Sequence, residues 1–160
     1  MSAPDLATLY DFETQIEAAV SAILTDGGVT VQAVSRGEAI LASPFCAVTY
    51  QHGGPWPSGS PRYVSVGGDF RPDQFSGTVQ ITAATDRKRN PDTHKTYRGK
   101  IRALGYQFVG QFTGSNLPYL AVMDFTETGT QPVEDEGKNL DLSILSWDIR
   151  FAILPNAWPT

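Results

Sequence analysis

The chain has 160 residues, of which 41% are hydrophobic and 18% charged, and its formal net charge is −5. That length suits one domain with one core, while the balance of apolar and charged residues excludes intrinsic disorder and argues against nucleic-acid binding as the main task. Cys46 is the only cysteine, so no intramolecular disulfide can form, and a lone thiol in an apolar run reads as a small core residue.

The first residues, MSAPDLATLYDFE, contain neither a basic region nor a continuous apolar stretch, so the expectation is a cytoplasmic chain without a secretory signal. No apolar run approaches the ~20 residues of a membrane helix, and no membrane partner is expected. Leu6, Leu9, Phe12, Ile16, Val20, Ile23 and Leu24 recur at helical spacing and predict one amphipathic helix, capped by Ser2 or Asp5 and ended by Asp26, Gly27 and Gly28. The β-branched alternation of VTVQAV (29–34) predicts a strand, and so does FCAVTYQ (45–51), entered through Pro44; AILA between them is left unassigned. HGGPWPSGSPRYVSVGGDFRPDQFSG (52–77) is rich in Gly, Pro and Ser and reads as a long loop with scattered aromatics.

SGTVQITAAT (76–85) alternates as a half-buried strand. A helix follows, with Asn90 as N-cap, Pro91 at its first position and Gly105 beyond its last; its apolar stripe is Tyr97, Ile101 and Leu104, with His94 one turn earlier. LPYLAVMDFTE (117–127) predicts a strand, and 127–139 an acidic, turn-rich loop. The closing strand, 140–155, changes its apolar phase between Ser143 and Leu145, which predicts either a β-bulge or a strand buried differently at its two ends. The pattern is α+β: a single domain over 1–160 built on one mostly antiparallel or mixed sheet, with two helices on one face.

Motifs for chemistry are scarce. The sequence holds no nucleophile elbow, phosphate-binding loop or zinc signature, and its two histidines, His52 and His94, lie far apart along the chain. Cys46 and His52 could form a thiol–imidazole pair only if the chain turned back between them. The run Glu134, Asp135, Glu136 lacks the alternating ligand spacing of a calcium loop. The expectation is a chain that is not an enzyme and carries no metal or cofactor.

Charge is distributed unevenly. DRKRNPDTHKTYRGKIR (86–102) holds seven of the twelve Lys and Arg residues against two aspartates, whereas 124–141 holds six acidic residues against Lys138. Lys95, Arg98 and Arg102 form one edge of the second helix, and Glu134, Asp135 and Glu136 are acidic counterparts, so both sets are candidates for a subunit interface. Arg87, Lys88, Arg89, Trp56, Arg62 and Arg71 lie in loops and are candidates for contact with a lumen or a partner.

The leading helix LYDFETQIEAAVSAIL, the strand entered through Pro44, the unit FSGTVQITAATDRKRNPDTHKTYRGKIRALG and the closing ILSWDIRFAILPNAWP together resemble the tail-terminator and tail-completion proteins of tailed bacteriophages, a group close to the neck proteins that join head to tail. The resemblance covers most of the chain except 52–77. It implies a virion structural protein, assembled in the host cytoplasm, whose ring, usually a hexamer, caps the tail tube. It also implies contacts with the tube protein, with sheath in a contractile tail and with the head connector, while genomic DNA passes through the lumen without sequence-specific binding. The alternative from the residues alone is a soluble ligand-binding or enzymatic α+β domain, with 52–77 as a lid over a pocket lined by Trp56, Tyr63 and Phe70.

Overall fold

The computed structural model describes residues 4–32, 44–86, 91–133 and 140–159. Two helices open the chain where one is predicted: α1 (Leu6–Tyr10) and α2 (Phe12–Asp26), divided at Asp11. The division has a polar cause. The carboxylate of Asp5 accepts from Thr8 N at 2.7 Å to cap α1, and that of Asp11 accepts from Thr14 N at 3.2 Å to cap α2. Gln15 Nε2 then donates across the break to the carbonyls of Leu9 and Thr8, at 2.9 and 3.1 Å, the second of which also accepts from Asp11 N. At the far end of α2, Val29 N bonds to Leu24 O and Gly28 N to Thr25 O around Gly28 at φ 85°, a Schellman exit that a residue with a Cβ rarely adopts.

The main sheet comprises β1 (Phe45–Pro55), β4 (Gln74–Asp86), β5 (Leu120–Val133) and β6 (Leu140–Ile153) in the order β1-β4-β6-β5, and all its neighbours are antiparallel. Helices α2, α3 (Pro91–Gly105) and the short α4 (Phe108–Gln111) pack on one face. The protein is therefore α+β with helices on one side of a mostly antiparallel sheet, as the alternation predicts. Fully buried Val79, Ile81, Leu145, Trp147 and Phe151 project from β4 and β6 towards Ile16, Val20, Leu24 and Ile101 of the helices. Each buried aliphatic or aromatic side chain contributes about 1.5–3 kcal/mol relative to exposure.

Two expectations change in detail, and a third is decided between its alternatives. The predicted loop 52–77 is largely ladder: β1 continues to Pro55 and β4 begins at Gln74, with a register shift between His52 and Gly54. Between them β2 (Tyr63–Val66) and β3 (Asp69–Pro72) form a hairpin turning at Gly67 and Gly68, both at positive φ, the backbone that a two-residue turn between right-twisted strands requires. The acidic loop beginning at 127 is also strand as far as Val133; an edge position tolerates Pro132, and a register shift between Glu127 and Gly129 absorbs an extra residue. The closing strand has no bulge against β4: the pairing runs unbroken from Gln74↔Ala152 to Asp86↔Leu140. Its phase change arises because it is buried on both faces at its start, where Leu140 joins Phe45 and Ala84 in a second apolar cluster.

The strand predicted over 29–34 shows one parallel bridge, Val31 to Cys46, and its residues 33 and 34 lie outside the described residues, as do AILA and Asn90. Helix α3 nonetheless begins at Pro91 and ends at Gly105. Gly105 sits where the buried Trp147 ring crosses the end of α3, and a methyl group there would overlap that ring. Gly105→Ala is expected to lower unfolding free energy by about 1–3 kcal/mol in a urea titration; a neutral result would mean that the ring moves aside freely.

Candidate functional site

On the sheet face turned away from the helices, the register aligns Ser76, Arg150 and Asp124 across β4, β6 and β5, and beside them Thr78, Asp148 and Thr126. Ser76, Thr78, Asp124, Asp148 and Arg150, together with Gly53 and Trp56, line an open cleft of about 330 Å³. Trp56 is fixed by its backbone, which extends the β1–β4 ladder through Trp56 N to Gln74 O at 2.9 Å. Its ring lies 4.1 Å from Arg150 Cζ, close enough for the guanidinium to be held by the negative ring face.

Asp124 accepts from Thr126 Oγ1 at 2.7 Å. Arg150 Nε is buried without an acceptor, and among the described residues Arg150 forms no ion pair with Asp124 or Asp148. Two exposed carboxylates thus share a cleft with a guanidinium drawn aside onto indole. The arrangement suits a cationic group entering from outside. It contains no nucleophile–base pair.

A second polar group lies inside the core, where α3 crosses the sheet. His94 Nδ1 is 2.8 Å from Thr85 Oγ1, and Nε2 is 2.8 Å from Ser143 Oγ. Arg98 Nη1 donates to Ser143 Oγ at 3.4 Å. A neutral imidazole donates at one ring nitrogen and accepts at the other, and a hydroxyl can take either part, so both ring nitrogens of His94 are satisfied while Ser143 Oγ also accepts from Arg98. Ser–His connectivity here does not make a hydrolase: Ser143 is 1% exposed, and Thr85 occupies the place where a triad needs a carboxylate. Burial, with the Arg98 charge second, lowers the His94 pKa below its ordinary value, against a smaller opposing pull from Asp141. Neutral imidazole is the form that the fold accommodates.

The predicted basic edge divides. Arg102 binds within its own chain, Nε to Glu127 Oε1 and Nη2 to Thr130 Oγ1, both at 3.0 Å, and Tyr106 OH donates to Glu127 Oε2 at 2.8 Å. These bonds hold the Glu127 carboxyl below its usual range against the opposing effect of burial, and they fasten α3 to β5. Arg98 leans on Ser143, and Lys100 Nζ donates to Gly28 O at 3.2 Å. Lys95 is exposed and makes no ion pair among the described residues. Glu134, Asp135, Glu136, Arg87, Lys88 and Arg89 lie outside the described residues.

Among the loop candidates, Trp56 belongs to the cleft. Arg62 and Arg71 flank the hairpin instead, Arg62 at 3.8 Å from Asp73 and Arg71 at 3.7 Å from Asp69. Tyr63 and Phe70 stand on one hairpin face, 57% and 75% exposed, and neither lines the cleft, so the three aromatics of the lid reading do not enclose one pocket. Cys46 and His52 remain on one extended strand. Burial pushes the Cys46 thiol up to about 12, and His52 Nδ1 bonds Tyr50 OH at 2.8 Å against Phe12 and Phe75. Among the described residues no three His, Cys, Asp or Glu side chains group as metal ligands, and no helix is long and apolar enough to cross a membrane.

The lowered pKa of His94 sets a sign. Between the unfolded value near 6.5 and the lower folded value the unfolded chain binds more protons, so stability is full above pH ~6.5 and falls as pH drops through that window. His52 is lowered by burial as well and adds in the same direction. Thermal melts between pH 7.5 and 5.5 are expected to show a falling midpoint whose slope is reduced in His94→Gln; an equal slope in the two proteins would remove His94 from the account. No protein-family model matches the chain, and no curated protein matches it significantly.

Proposed function

We propose that this chain is a structural subunit that assembles into a ring at the head-proximal end of a bacteriophage tail, capping the tail tube and presenting a surface to the head connector. The observation that carries the reading is the β2–β3 hairpin, which holds Tyr63 and Phe70 on one exposed face. A two-stranded hairpin is marginal in isolation, and large aromatics left in water along one of its faces suit burial against a partner. Three features fix the arm's base: the β1–β4 ladder to Pro55 and Phe75, the stacking of Trp56 on Arg150, and the Arg62–Asp73 pair. A fixed arm loses less entropy on docking than a free loop.

The resemblance to tail-terminator and neck proteins supplies the setting. DNA would pass such a ring without firm attachment, because each phosphate contact adds salt-dependent affinity and retards transit. Light scattering coupled to size exclusion is expected to show the wild type as an oligomer and Tyr63→Ser/Phe70→Ser as a folded species of lower mass. An unchanged mass in the double variant would remove the arm from assembly, and a monomeric wild type that also fails to bind tail tubes would overturn the reading.

A further inference from the structure

Resting on the ring reading, we infer which surfaces meet: the Lys95 corner of α3 in one copy seats in the Trp56–Arg150 cleft of the next, with the Lys95 ammonium against Asp124 and Asp148. The first support is position. Lys95 lies in the helix layer beside the Thr85–His94–Ser143 end of the sheet, whereas the cleft opens on the other face, at the end where β4 begins and β1 finishes. These are diagonal corners of a two-layer molecule, so Lys95 cannot reach its own cleft. A contact between them joins two copies head to tail, leaves one unused corner at each end, and continues until rotation closes it.

The second support is charge. Arg102 is ion-paired and Arg98 and Lys100 are hydrogen-bonded inside the chain, which leaves Lys95 as the exposed α3 cation with neither a hydrogen bond nor an ion pair among the described residues. On the receiving side Asp124 and Asp148 are exposed, and the stack on Trp56 holds the one cation of the cleft to the side. A cleft of about 330 Å³ admits a long unbranched side chain, and an ammonium has three donors to divide between two carboxylates. Such a pair contributes direction more than affinity; the aromatic arm would provide the larger apolar contact.

The test uses two variants that repel their own kind. Asp124→Lys/Asp148→Lys opposes lysine to lysine at the contact, and Lys95→Glu opposes carboxylate to carboxylate. Each alone is expected to assemble about tenfold less readily than the wild type at low salt, with melting midpoints unchanged. A one-to-one mixture is expected to regain the wild-type mass, because alternating copies restore every contact. If the wild type assembles and either variant assembles equally well, or if the mixture of folded variants stays dispersed, the inference fails while the ring reading stands. A wild type that remains monomeric overturns both. Should the double reversal not fold, Asp124→Asn/Asp148→Asn replaces it, with the expected result that assembly weakens and loses part of its salt dependence, and unaltered assembly and salt dependence count against the contact.

Discussion

Thirteen residues of β4 pair without interruption with β6, and this ladder is the constraint on which the other features depend. Because side chains alternate across a strand, it sends Val79, Ile81, Leu145, Trp147 and Phe151 to the helices and Ser76, Thr78, Asp148 and Arg150 to the opposite face. A shift of one residue would exchange the two sets, placing charges in the core and Trp147 in water. Core and cleft therefore share one cause. The fully buried Trp147 resists such a shift, and Gly105 leaves space for its ring.

The same separation gives the two layers different work. Towards the helices two polar groups bond one element to another: His94 ties Thr85 to Ser143, and Arg102 ties α3 to Glu127 and Thr130. On the outer face Asp124, Asp148 and Arg150 share a cleft without pairing, and the hairpin extends from that end of the sheet. A rigid inner layer with an unneutralised outer corner and an aromatic arm suits a subunit whose role is to meet other surfaces in a fixed orientation.

Much of the fold was legible from periodicity, because burial on one face imposes it directly: the apolar stripe of α2, the alternation of 76–85 and the start and stop of α3 correspond to observed elements. The errors share a cause. Gly, Pro and Ser in 52–77 point to a loop, although YVSV and DFRP around Gly67–Gly68 spell a hairpin; the acidic, turn-rich composition of 127–139 points to another, where an edge strand accommodates Pro132. The break at Asp11 was hidden by an apolar stripe continuous across it, while the signal lay in Asp11 preceding Thr14 by three residues. The cleft was less legible. Asp148 and Arg150 lie two apart on a strand and so share a face, but their meeting with Asp124 and Trp56 depends on cross-strand register. Arg102 belonged to the predicted basic edge, and the partner that turns it inward, Glu127, lies on β5, in a segment read as the start of a loop.

Single-particle imaging of the purified wild-type protein tests the account most directly. Class averages are expected to show a closed ring with a central opening, its population growing with protein concentration and shrinking with salt. Isolated particles of one-subunit size at every concentration would contradict it.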